Sequence, residues 1–130
     1  PASTSPKSES SNMPTHLAST SAEPPIDMEQ LRMFTDGDAE EEKALFALFL
    51  EQAAEAIAAL EQTMGDDAKE RWKSTAHRLK GASGNLGAMA LHHLCRRAEA
   101  GYDESVSIKS ELLAAITAET DRIRQFCKNQ

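Results

Sequence analysis

His77, Lys80 and Gly81 stand three and four residues apart in the run His77-Arg78-Leu79-Lys80-Gly81. On a helix those spacings place side chains on one face. A titratable nucleophile, a cation and a residue with no side chain therefore become neighbours. An exposed imidazole is largely neutral at pH 7, so one ring nitrogen keeps a lone pair and can attack an electrophilic centre without a separate base. Lys80 would offer charge to an anion beside it. Glycine inside a helix costs on the order of 1 kcal/mol against alanine, yet Gly81 and Gly84 fall close together in this one. Tight packing against a neighbouring helix would account for Gly84. Gly81, four residues from His77, reads better as clearance for another protein's loops.

Read onward, the stretch is Ala76-His77-Arg78-Leu79-Lys80-Gly81-Ala82-Ser83-Gly84-Asn85-Leu86-Gly87-Ala88. It resembles the core pattern of the histidine phosphotransfer (HPt) domain family: a histidine, two residues, Lys-Gly, and a further glycine after a short run of small residues. Trp72 before the histidine, and Leu91, Leu94, Cys95 and Glu99 after it, stand in the register such domains show. The resemblance covers the chain from about Ile26 to its end and none of the first 25 residues.

The resemblance implies a phosphorelay intermediate that accepts a phosphoryl group on His77 from a receiver-domain aspartate and passes it to another receiver aspartate. Phosphoryl transfer asks mainly for positioning and charge neutralisation. By analogy Lys80 would stabilise the phosphoryl charge, while the receiver would supply Mg2+ and most of the catalytic groups. No cofactor is expected in this domain, and no kinase activity of its own. The isolated domain should be a monomer. A chain that opens on Pro1 with a Ser/Pro-rich stretch reads as a piece of a longer protein, the C-terminal module of a hybrid sensor histidine kinase. The phosphotransfer domain of a chemotaxis-type kinase would normally open its protein, and an adaptor that only binds partners would have no need of an intact His77.

The elements that must position these residues follow from periodicity and caps. All five prolines (1, 6, 14, 24 and 25) lie in the first 25 residues. That segment, rich in Ser and Thr and poor in apolar side chains, reads as a disordered linker over residues 1–25. Residues 26–130 lack proline and favour helix throughout. A short first helix is expected from Asp27 to Thr35, with Asp27 and Gln30 forming a capping box. Asp38 with Glu41 opens a second, whose apolar residues Leu45, Phe49, Ala53, Ile57, Leu60 and Met64 recur at helical spacing until Gly65 stops it. Asp67 with Glu70 opens a third, with Trp72, Ala76, Leu79, Ser83 and Leu86 facing inward and Gly87 making the turn. The fourth carries Leu91, Leu94, Cys95 and Ala98 as far as Gly101. The fifth runs from Glu104 to Lys128 and presents Ile108, Leu112, Ile116, Ile123 and Phe126.

No stretch alternates with period two, so no strand is expected. The fold class is all-α: an antiparallel four-helix bundle with a short additional N-terminal helix lying across one end. Such a domain has little interior to spare for a buried ligand, which places function on the surface.

Ala76 and Leu79 bracket His77 and should turn it outward. Gly81, Gly84, Lys73, Ser74 and Arg78 are then the candidates for partner docking around it. The second helix has more apolar residues than one stripe needs, and Phe46 and Leu48 are the candidates for an exposed docking patch.

Charge points the same way. Residues 36–67 hold ten acids and one base, whereas residues 68–97 hold seven bases and one acid, and the histidine lies in the basic block. A basic face would help to orient an acidic receiver pocket. The net charge of −7 argues against nucleic acid. His92, His93 and Cys95 form no complete metal set, because His93 leaves the shared face and no acidic pair completes it. Cys95 and Cys127 lack a disulfide-framework spacing, as in a reducing cytoplasmic compartment. No run reaches the roughly 18 apolar residues of a membrane span, so direct membrane contact is not expected. No nucleotide motif and no Ser-His-Asp arrangement is present, and His16 lies in the linker segment.

Overall fold

The structure, a computed structural model, describes residues 24–130. Among them every regular element is helical: α1 (Met28–Thr35), α2 (Ala39–Gln62), α3 (Lys69–Leu86), α4 (Met89–Ala100) and α5 (Val106–Lys128). The expected linker falls on residues outside those described, apart from Pro24 and Pro25.

Helices α2 to α5 form a closed ring of neighbours, α2 beside α3, α3 beside α4, α4 beside α5, and α5 back against α2. Short connections make consecutive helices antiparallel, which gives the expected four-helix bundle. One apolar core runs through it, with Phe49, Ala53, Leu60, Trp72, Leu79, Leu91, Ile116 and Ile123 all buried. The inward stripe of α3 is the one that periodicity gives, since Trp72, Ala76, Leu79, Ser83 and Leu86 are all buried.

The short α1 closes one end and is tied there by specific bonds. Asp27 caps it by accepting from the backbone N–H groups of Glu29 and Gln30. Gln30 does not complete a capping box. Its side-chain amide donates instead to the Gly84 carbonyl at 2.8 Å, and the Asp27 N–H donates to the Gly87 carbonyl at 2.9 Å. Gly87 is required here on two counts: its φ of +89° is left-handed, and a Cβ would lie 3.0 Å from the Asp27 carbonyl oxygen. At the other end of α1, the buried Thr35 donates its hydroxyl to Glu42 (3.2 Å), and Arg32 pairs with the same carboxylate at 3.6 Å.

Three boundaries differ from the capping signals. Helix α2 ends at Gln62, and Thr63 rather than Gly65 finishes it, its hydroxyl donating back to the Ala59 carbonyl at 2.8 Å. Asp67 does not cap α3. It lies in a single 3-10 turn, Asp66–Ala68, that leads directly into Lys69 without a side-chain cap. Helix α5 begins two residues later than Glu104, at Val106, because Ser105 caps it by accepting from the Ile108 N–H.

The buried face of α5 also differs. Ile108 is exposed and Lys109 is fully buried. The stripe Leu113, Ile116, Thr120, Ile123, continued backwards at helical spacing, lands on 109 and not on 108. The Lys109 ammonium sits 5.2 Å from the centroid of the Trp72 ring and has no hydrogen-bond partner among the described residues.

Candidate functional site

His77 lies in the middle of α3, one residue past the buried Ala76, and the helical turn carries it to the surface. Its side chain is 64% exposed, open enough for a second protein to reach the ring. Among the described residues its polar contact comes from another helix: Nδ1 lies 3.0 Å from Glu99 Oε2 on α4. A carboxylate only accepts, so Nδ1 carries the proton and Nε2 keeps its lone pair.

The same carboxylate holds Lys80. Its Nζ lies 2.7 Å from Glu99 Oε1. Helix α3 thus places an imidazole and an ammonium one turn apart, and a single glutamate on α4 grips both. The Lys80 ammonium bonded to Glu99 holds that carboxyl below the usual carboxylate range; partial burial pushes the other way, and the His77 bond adds to the lowering. Glu99 is therefore an anion wherever a phosphoryl group would be handled near neutral pH.

The surface around His77 forms a cleft between α2 and α3. Gln52, Glu55 and Ala56 line one side of it, and His77, Arg78, Gly81, Ala82 and Asn85 the other. Gly81 opens this cleft, since a Cβ built on it meets nothing within 4 Å. Gln52, Ala82 and Asn85 also border a second, more apolar cleft that continues toward α1 through Leu45, Leu48 and Phe34. Leu48 and Phe34 are 50% and 68% exposed, so the cleft beside His77 and the apolar patch are one continuous surface.

The other residues singled out from sequence are placed differently. Phe46 is buried in the core at 4% exposure and offers nothing to a partner. Its backbone position faces α2's inner side together with Phe49, and the excess apolar residues of α2 divide between core and surface accordingly. Gly84 does not line the open cleft: a Cβ there would come 3.1 Å from His92 Nδ1, so the glycine admits the imidazole of α4. Lys73 turns toward the connection between α4 and α5, with its ammonium 4.6 Å from the Tyr102 ring centroid. Ser74 shares a shallow groove with Arg71, Thr75 and Arg78 on the α2 side.

Glu99 is the residue whose role sequence reasoning did not reach. It lies 22 positions from His77 on a different helix, and no periodicity links the two; only its register within the family pattern marks it. His92, considered as a metal ligand, has its Nδ1 3.0 Å from the Lys80 carbonyl. Cys95 is fully buried, and burial pushes its thiol up to about 12. Among the described residues no three His, Cys, Asp or Glu side chains cluster as a metal site. No helix among them is long and apolar enough to cross a membrane.

The sequence model of the Hpt domain matches residues 44–126, which include the whole His77, Lys80 and Glu99 cluster. Among solved structures, histidine-containing phosphotransfer protein B of Pseudomonas aeruginosa PAO1 superposes with a TM-score of 0.72 at 22% identity, over 82% of this chain and 93% of its own. A histidine-containing phosphotransfer protein from maize gives 0.72 at 22% identity, over 87% and 92%. One from rice gives 0.72 at 20% identity, over 86% and 85%. At such identities these neighbours show the fold. No curated protein matches the chain. Proteins of this type carry phosphoryl groups and are not themselves kinases. With the family pattern spanning most of the bundle and the site inside it, the chain belongs to the Hpt domain family, the phosphorelay intermediates of two-component signalling that work with receiver domains.

Proposed function

We propose that His77 is the phosphoryl acceptor and that Nε2 is the attacking atom. One observation carries this: Nδ1 lies 3.0 Å from Glu99 Oε2, and because a carboxylate only accepts, the proton belongs on Nδ1 and the nitrogen left with a lone pair is the one free to meet a partner. As the N–P bond forms, the O–P bond of the receiver's aspartyl phosphate breaks and its electron pair returns to the carboxylate. Positive charge develops on the ring, and the Nδ1–H faces Glu99, which stabilises it. Lys80, held within 2.7 Å of Glu99, is near enough to turn toward the incoming phosphoryl oxygens. In the reverse direction the same groups release the phosphoryl group to another receiver aspartate.

The receiver docks over the cleft between α2 and α3. Gly81 supplies clearance, Arg78 supplies a cation at the rim, and Leu48 with its apolar neighbours supplies contact area. Ser74 contributes at the edge of this surface, and Lys73 lies on its far side. The receiver brings the Mg2+, and this domain needs no cofactor. Residues 26–130 act as a monomeric module behind a Ser/Pro-rich linker (residues 1–25) in a cytoplasmic hybrid histidine kinase, which provides the kinase activity that the module lacks.

His77→Gln is the test. Glutamine fills a similar polar volume but has no nucleophilic nitrogen. Mixed with a phosphorylated receiver, the folded variant should take no label while the parent protein takes it readily. Label on an equally folded His77→Gln protein would overturn the assignment.

A further inference from the structure

We infer that Trp72 and His92 are positioning residues for His77, acting through the register of α3 against α4; this rests on His77 being the acceptor. The two side chains make reciprocal bonds across one helix pair. Trp72 on α3 donates its indole Nε1–H to the Ala98 carbonyl on α4 at 2.8 Å. His92 on α4 donates from Nδ1 to the Lys80 carbonyl on α3 at 3.0 Å, since a carbonyl can only accept.

Both bonds end at the site. Ala98 is the residue before Glu99, and Lys80 is the cation that Glu99 holds. Ala98 belongs to the last turn of α4, where carbonyls lack helical partners, so the indole supplies the donor that fixes this turn at one height. The His92 ring fits beside α3 only because Gly84 has no Cβ to meet it. Trp72 is itself immobilised, with no exposed surface and the Lys109 ammonium from α5 resting 5.2 Å from its ring centroid.

The consequence reaches the reacting atom. Glu99 must meet Nδ1 of His77 and Nζ of Lys80 at once, and a hydrogen bond tolerates only a few tenths of an ångström of misplacement. If α4 slides, the Nδ1 proton loses its acceptor. The ring then shifts toward the tautomer with the proton on Nε2, and the exposed nitrogen loses its lone pair.

Three variants test this. Trp72→Phe keeps an aromatic filler and removes the donor. His92→Leu removes the second donor, and His92→Asn restores an amide N–H near the position of Nδ1. The 15N shifts of the His77 ring report its tautomer without any phosphoryl donor present, and label transfer from a phosphorylated receiver reports function. Trp72→Phe and His92→Leu should each raise the Nε2–H population and slow transfer on the order of tenfold, with His92→Asn close to the parent in both. Should Trp72→Phe fail to fold, the His92 pair decides alone. Variants that melt earlier yet keep the parent tautomer and transfer rate would overturn the inference, because the bonds would then hold the fold and nothing more. A changed tautomer with unchanged transfer would leave the positioning intact and would count against His77 as the nucleophile.

Discussion

The two sides of α3 use the same residue types for opposite ends. On the outward side stand His77, Arg78 and Gly81, and a Cβ on Gly81 would meet nothing within 4 Å. On the side turned to α4, Gly84 has the His92 ring 3.1 Å from where its Cβ would be. Three residues separate the glycines, which sets them only about 60° apart around the helix axis, so a small change of direction decides what each one meets. The first leaves open space beside the proposed acceptor; the second leaves space that a ring of α4 already fills. An absent side chain therefore has no role until its direction is known.

The sharpest way to break this comparison is to fill each space in turn. Gly81→Gln should leave the melting temperature close to that of the parent but project into the docking cleft, and receiver-to-domain transfer should fall by about a hundredfold. Single-turnover transfer and receiver affinity measure it. Normal transfer would mean that the outward side is not the approach route. Gly84→Leu should cost stability as well as the His92 bond, so transfer should slow only as far as it does in His92→Leu. The new side chain must displace His92 from the Lys80 carbonyl, an overpacking that costs about 1–3 kcal/mol and shows as a lower urea midpoint. A midpoint at or above that of the parent would place the two glycines on equal footing.

Lys80→Ala separates charge from space on the outward side. It removes the ammonium without adding bulk, so transfer should slow about tenfold while receiver affinity changes less; equal losses in both would make Lys80 a docking residue. Gly81→Ala should raise stability by up to about 1 kcal/mol, because the helix gains propensity and the methyl group meets only solvent. A drop in stability there would reveal a contact that the open cleft does not contain.

The smallest effect is that of acid on the link between the two sides. Glu99 is held below its ordinary carboxyl value of 4.5 by Lys80 and His77. A depressed group contributes stability that is present above that ordinary value and lost as pH falls through the lower, folded one. Parent protein and Glu99→Gln should therefore converge in stability as pH is lowered from 6 to 3, compared by urea titration at each pH. A constant difference across that range would show that the carboxylate contributes no charge-dependent stability.

What sequence alone determined here is what local periodicity and short spacing can encode. The helical stripe through Trp72, Ala76, Leu79, Ser83 and Leu86 placed His77 at the surface, and the three- and four-residue spacings placed Lys80 and Gly81 beside it. Asp27 and Asp38 marked two helix starts because an N-cap is a contact within a few residues. Where the signal had to compete with a distant group, tertiary structure decided. Gln30 left its capping box for the Gly84 carbonyl. Lys109 went into the core because the stripe of α5 lines it up with the Trp72 ring, and Phe46 went in while Leu48 stayed out because α2 is flanked on two sides. Glu99 reaches His77 only through the packing of α4 on α3. Its partnership spans 22 residues, and no one-dimensional pattern records which carboxylate an imidazole will meet when two helices are set at one height by an indole and a second imidazole.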